Sequence, residues 1–350
     1  MGAAGGRGRK LVPIIVRRPA PRKDPRADGH ATSEAMSDRT TRGGAGGAPR
    51  RWAEHTVAAD EAGRTVEEIL TGPMGISRRM IQRLTRSRGV QLNRRPAYLA
   101  GKVKKGDVVT ARVAPEEEPG LPPVPMELVV VHEDAEVLVL DKPPFLLVHP
   151  TSPEQTRTLA HGVAHRFAEQ GLRAKVRPVH RIDRDTSGLV LFAKTALAHA
   201  HLDAQLRERE MGRSYLAFVR GSVEQEQGVV DAPIGRDRKN PNLRAVRPGG
   251  ETALTRFRVV ERFPDATLLE LELETGRTHQ IRVHMQHLGH PVLGDRQYGG
   301  AGRGDALKRQ ALHAARLAFA HPRTGERMSF EAPLPPDLAE LRERLRGKGN

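Results

Sequence analysis

His180-Arg181-Ile182-Asp183-Arg184-Asp185-Thr186-Ser187-Gly188 runs directly into Leu189-Val190-Leu191-Phe192, and this junction decides how the chain reads. The second part is a short continuous apolar run, the pattern of a strand buried on both faces. The first part is all charge and small polar groups. A loop of that kind set against a core strand is either held rigid for a purpose or is a salt-bridged turn capping a sheet. Asp183 and Asp185 also have the look of a metal-ligand pair. A hard-cation site needs more oxygen or imidazole ligands than this motif carries, so no metal is expected.

Outward from this junction, strands and helices alternate. Val129 to Val131 and Val137 to Leu140 are apolar runs around a polar turn, as in a β-hairpin. Leu159, Val163 and Phe167 mark a helix, as do Ala198, Leu202 and Leu206. Tyr215 to Val219 returns to strand. Leu269, Leu271 and Leu273 alternate with Glu270, Glu272 and Glu274, a strand with one wet face. Ile281, Met285 and Leu288 share a helix face, and Gly289 and Pro291 end that helix. The expected class is α+β, a mostly antiparallel mixed sheet with flanking helices.

A second polar cluster opens that last helix: Gly276-Arg277-Thr278-His279-Gln280-Ile281-Arg282-Val283-His284, followed by His287, His290 and Asp295. The histidines invite a metal reading. Yet His279 and His284 fall on different helix faces and no His-Glu-x-x-His is present, so none is expected here either. Arg282 adjoins the core position Ile281. An arginine there is a snorkelling surface residue or the partner of a carboxylate, for which Asp183 is the natural candidate.

The chain is strongly basic, with 58 Lys and Arg against 42 Asp and Glu, a net charge of +16. Such an excess favours polyanionic partners, although a compositional habit rich in Arg, Ala and Gly gives the same number. Half of the excess lies in residues 1–52, with 12 basic and 4 acidic side chains. We read 1–54 as a disordered basic arm. Cysteine is absent, which excludes disulfides, thiolate nucleophiles and thiolate-bound zinc. No apolar run reaches the roughly 18 residues of a membrane span, and Leu11 to Val16 is too short for an export signal. The expected setting is the cytoplasm, with no membrane partner.

Residues 55–113 form a small helix-helix-strand unit. Thr65-Val66-Glu67-Glu68 has capping-box spacing, and Ser77 caps a second helix with Met80, Ile81 and Leu84 on its buried side. Arg78, Arg79, Arg83 and Arg86 occupy the other side. A charged helix face is usually just solvated, but four arginines without an acid exceed that expectation. Residues 114–126, with five prolines and three glutamates, form a linker to a domain spanning 127–345.

Two resemblances follow. Ile76-Ser77-Arg78-Arg79, Ile81-Gln82-Arg83-Leu84, Gly89-Val90-Gln91-Leu92-Asn93 and Lys105-Gly106-Asp107 resemble the alpha-L RNA-binding domain, with Asn93-Arg94 where that domain has Asn-Gly. The blocks His180 to Gly188, Arg213-Ser214-Tyr215-Leu216-Ala217, Gly276 to His284 and Gly289 to Asp295 resemble the RluA family of pseudouridine synthases. Asp141-Lys142-Pro143, Val148-His149-Pro150 and Leu312-His313-Ala314 agree with them, in the same order along residues 127–335. Pro144-Phe145 departs from that pattern.

The second resemblance implies an RNA-modifying isomerase that needs no cofactor and no metal. Asp183 matches the family's catalytic aspartate, Arg282 the arginine that pairs with it and keeps it ionised, and Tyr215 the active-site tyrosine. Arg181, Ile182 and Lys142 are expected to bind substrate, Arg181 by holding the space left by a flipped nucleotide and Lys142 at phosphate. Arg78, Arg79 and Arg83 are expected to contact phosphate from the small unit. The expected partner is structured RNA, with large-subunit ribosomal RNA first and transfer RNA the alternative, acted on by a monomer. Two rivals stand beside this reading. A non-catalytic RNA-binding or ribosome-assembly factor would have lost Asp183, Tyr215 or Arg282. An RNA glycosidase would need a second carboxylate to activate water, for which Asp185 is poorly placed.

Overall fold

The computed structural model describes residues 52–76, 78–112, 120–300 and 307–347. They fall into two compact units, one comprising 52–215 with 312–339 and the other 216–311 with 340–347. The architecture is mixed α+β with largely antiparallel pairing, as the alternating patterns require.

The first unit begins with a four-stranded antiparallel sheet, order Ala53–Thr56, Val108–Ala111, Val90–Leu92, Arg95–Pro96. Its first strand starts two residues before the boundary expected from composition, because Ala53 pairs with Ala111. A four-residue strand with a single period-2 alternation leaves too little pattern to detect. The helices Val66–Thr71 and Arg78–Arg86 pack their apolar sides on this sheet. Ile69, Leu70, Ile81, Leu84, Val90 and Val109 form a buried cluster of their own. The capping box is present: Glu68 N–H donates to Thr65 Oγ1 (3.2 Å) and Thr65 N–H to Glu68 Oε2 (2.7 Å). The expected Ser77 cap lies outside the described residues. Asn93 and Arg94 both take positive φ (52° and 65°), which closes the tight turn without the glycine such turns usually use.

The rest of this unit is built on the strand Ser187–Ala193, whose seven residues are all buried. On one side it pairs antiparallel with Val137–Lys142, the second strand of the Val129–Glu133 hairpin. On the other it pairs parallel with Leu312–Ala320, through Ser187 with His313 and Gly188 with Ala314. Helices Leu159–Glu169 and Ala196–Arg207 follow the expected stripes, with Leu159, Val163, Phe167, Ala198 and Leu202 buried. The parallel pair explains Gly188. Its φ is 112°, and a Cβ there would stand 2.3 Å from the Ala314 carbonyl oxygen.

The strand Gly212–Arg220 carries the chain into the second unit. There Gln227–Asp231, Leu254–Phe263 and Ala266–Leu273 pair antiparallel in that order. Leu269 and Leu271 are buried while Glu270 and Glu272 reach solvent. The helix Gln280–His287 is pinned by its own polar residues. Gln280 Nε2 donates to Leu254 O (3.0 Å), and His284 meets Thr255 Oγ1 and Ala232 O, each at 2.9 Å. No helix among the described residues is long and apolar enough to cross a membrane.

Gly188→Ala is expected to destabilise the protein by about 3 kcal/mol or more, since backbone strain and a backbone clash coincide at one buried position. Urea unfolding of the two proteins measures it. A loss below about 1 kcal/mol would show that the parallel pair yields without cost.

Candidate active site

Asp183 is half-buried on the turn that enters the strand Ser187–Ala193, and Thr186 N–H closes that turn on Asp183 O at 3.1 Å. The rigidity read from composition has a specific origin. Lys142, at the end of the neighbouring strand, is completely buried, and its Nζ donates to Pro143 O (2.8 Å) and to Arg184 O (3.0 Å). One ammonium therefore fastens the loop that follows Val137–Lys142 to the loop that carries Asp183. Behind it, Ser187 Oγ lies 3.0 Å from His313 Nδ1, and His313 Nε2 reaches Ala332 O at 3.2 Å.

Lys142 was expected at phosphate; its side chain has no exposed surface, and two of its hydrogen bonds go to backbone carbonyls. Ile182 was expected to bind substrate. It is buried at 8% exposure and anchors the loop by apolar burial. Arg181 is exposed, as an RNA contact requires. Asp185 sits in a surface ion pair with Arg184 (2.7 Å), which gives that second carboxylate a partner of its own.

Tyr215 is buried close to Asp183. Burial pushes its phenol above the usual range, the nearby Arg213 charge pulls it down, and the Asp183 charge raises it again. The phenol keeps its proton at neutral pH, which suits it to stacking and hydrogen-bond donation rather than to acting as a phenolate base. Arg213 is itself buried. His180, also buried, accepts from Leu191 N–H at Nε2 (3.3 Å), and its pKa is lowered to about 3 by desolvation and by Arg213. It is neutral, so the charges that matter in this group belong to Asp183 and Arg213.

In the second unit Arg282 is 4% exposed and held on several sides. Nε and Nη2 donate to the two oxygens of Asp295 at 2.6 and 3.0 Å, and Nη2 donates to Gln297 Oε1 at 2.7 Å. The guanidinium lies 4.8 Å from the Tyr298 ring centroid. Asp295 is fixed in turn by the Gln297 and Tyr298 N–H groups, and the Tyr298 hydroxyl lies 2.8 Å from His279 Nδ1. Asp295, Gln297 and Tyr298 were not singled out from sequence as partners of Arg282. A loop residue 13 positions beyond Arg282 carries no period that would reveal it. His279, His284 and His290 of this cluster are engaged as well, and desolvation lowers His284 to about 4.

Arg78 and Arg83 stand exposed on the helix Arg78–Arg86. The side chain of Arg79 lies outside the described residues.

The family model described as RNA pseudouridylate synthase matches residues 136–287. The human protein RNA Pseudouridylate Synthase Domain Containing 1 has a similar structure, with a TM-score of 0.51 and 27% identity over 63% of this chain and 95% of its own. A Bacillus subtilis (strain 168) protein, named uncharacterized RNA pseudouridine synthase YlyB, is 45% identical over 276 residues, 78% of this chain and 91% of the relative. The Ribosomal large subunit pseudouridine synthase D of Vibrio vulnificus (strain CMCP6) is 42% identical over 70% of this chain and 79% of its own. The chain belongs to the RluA family of RNA pseudouridine synthases and is an isomerase acting on RNA.

Lys142→Met leaves two buried carbonyls without their donor. It is expected to cost about 2 kcal/mol of stability and to lower kcat, with the salt dependence of RNA affinity unchanged. Fluorescence unfolding and RNA titration across ionic strength check it. A salt slope lower by about one, at unaltered stability, would restore the phosphate contact.

Proposed function

We propose that the chain converts uridine to pseudouridine in large-subunit ribosomal RNA, with Asp183 as the catalytic carboxylate. The observation that carries the reaction is Asp183 held on its fastened loop beside the buried Tyr215. The choice of RNA rests on relatives named for the ribosomal large subunit, the Vibrio vulnificus protein among them.

The reaction is a balanced isomerisation. The bond from uracil N1 to ribose C1′ breaks, the base turns, C5 bonds to C1′, and the proton lost from C5 is matched by one gained at N1. Neither an oxidant nor a reductant enters. A base stacked in a helix is out of reach, so the nucleotide leaves the stack at a cost of a few kcal/mol. The exposed Arg181 occupies the space it vacates. The uracil meets the Tyr215 ring, and Asp183 acts at the ribose or the uracil ring.

Arg282 is, in this reading, the arginine that the family resemblance assigns to Asp183 as its partner. The hold of Asp295 and Tyr298 on the guanidinium supports that role, because a pre-oriented arginine loses little entropy on pairing. Residues 55–113 serve as an alpha-L RNA-binding domain, with Arg78, Arg79 and Arg83 at phosphates. The protein works in the cytoplasm as a monomer, away from membranes.

Wild type, Asp183→Ala and Arg282→Met, each incubated with unmodified large-subunit ribosomal RNA, test the reading through carbodiimide adducts mapped as reverse-transcription stops. Stops are expected with wild type and none with Asp183→Ala. With Arg282→Met they should fall at least tenfold at neutral pH while RNA affinity changes little. Stops on transfer RNA alone would move the substrate assignment. None on either RNA, with binding intact, would leave a non-catalytic RNA-binding protein.

The Arg78→Ala/Arg83→Ala pair is expected to weaken RNA binding and to reduce the slope of log affinity against log salt by about 1–2. An unchanged slope would remove the small unit from the RNA interface.

A further inference from the structure

The loop after Lys142 presents a feature that the catalytic chemistry does not use. Pro144 and Phe145 form a turn, and Phe145 takes φ 65°. With proline at the first central position, that geometry is a type II turn, whose second central position ordinarily takes glycine. A bulky side chain there is disfavoured, and the ring is not rewarded by burial, being 54% exposed. A lone exposed apolar residue needs no explanation. An exposed aromatic ring in a strained turn beside the catalytic loop does.

The surroundings hold the backbone that carries that ring. Before it, Lys142 is in strand register with Gly188 and ties Pro143 O to Arg184 O, two residues from Phe145 and one from Asp183. After it, the Leu147 and Val148 carbonyls accept from Leu159 and Ala160 N–H at 2.8 and 2.9 Å. Val148 is buried. Further along the loop, desolvation and then the Arg181 charge lower His149. Two prolines precede Phe145 and restrict its backbone further. The backbone that carries the ring is thus held beside the Asp183 loop, and the ring itself is exposed.

We infer that Phe145 is a stacking platform for an unpaired RNA base next to the uridine that Asp183 engages. This rests on the proposed reading of Asp183 and adds a substrate-positioning residue to it. Flipping one nucleotide unstacks its neighbours, and an aromatic face accepts an unstacked base of any identity. Phe145 then contributes to affinity and to the choice of loops or bulges over regular helix. It takes no part in bond making.

The test uses the full-length chain as wild type and as Phe145→Gly, Phe145→Ala and Phe145→Trp. Turnover is read as tritium released from C5 of uridine in unmodified large-subunit ribosomal RNA. Phe145→Gly and Phe145→Ala are expected to raise KM by about tenfold or more, with kcat within about threefold, and Phe145→Trp to keep KM near wild type. Glycine suits φ 65°, so Phe145→Gly should melt no lower than wild type, which separates lost stacking from lost folding. KM within twofold for both truncations overturns the inference. A second measurement does not require turnover: the wild-type protein is cross-linked to unfractionated cellular RNA at 254 nm and the nucleotide-bearing peptides are identified by mass. An adduct on Phe145 supports the platform, and adducts confined to other peptides overturn it. Absence of tritium release from ribosomal RNA would count against the proposed substrate alone, since the cross-link still decides for Phe145.

Discussion

A buried ammonium is among the costliest groups a protein can carry, and the first unit is organised around satisfying one. Lys142 has no exposed surface, yet its charge must be solvated by something, and backbone carbonyls of two different loops take the place of water. Neither loop can move without exposing that charge to apolar surroundings. The position of Asp183, the turn that closes on it and the outward set of Phe145 all follow from this tie. Function at this site depends on placement within fractions of an ångström, and an unsatisfied buried cation is a severe penalty against drift.

Arg282 shows the same logic in the second unit. A guanidinium at 4% exposure is gripped through Nε and Nη2 by Asp295 and Gln297 and faced by the Tyr298 ring. Asp295 is locked by backbone N–H groups, and Tyr298 is bonded to Arg244 N–H and to His279. The polar residues of this unit brace one another, and the charged group is oriented before any substrate arrives. Pre-orientation of this kind lets a charged group act by placement, with little reorganisation left to be done.

Much of the local structure was legible in the residues. The capping box at Thr65, the apolar stripe Met80, Ile81 and Leu84, the buried run Leu189 to Phe192 and the alternation of Leu269 and Leu271 with Glu270 and Glu272 are short-range patterns, and each forms the element expected. The family was legible by resemblance, since the blocks around Asp183 and Tyr215 keep order and composition along the chain. The burial of Lys142 was not legible, because a lysine in a basic, RNA-directed chain suggests phosphate. Burial is a property of the fold and leaves no mark on a single position. Asp295 and Phe145 carried no signal of their role for a related reason. One acts through a contact 13 residues away, and the other through a backbone torsion.

By itself, then, the sequence determined the elements, their class and the identity of the chemical groups, because helix and strand periods, caps and turn formers are set by neighbours a few residues apart. Only the tertiary structure decided which groups are buried, which partners satisfy them and which face outward. Those outcomes depend on segments distant in the chain meeting across a sheet, as Gly188 meets Ala314 and Lys142 meets Arg184. The cost of desolvating a charge exists only once that meeting has closed around it.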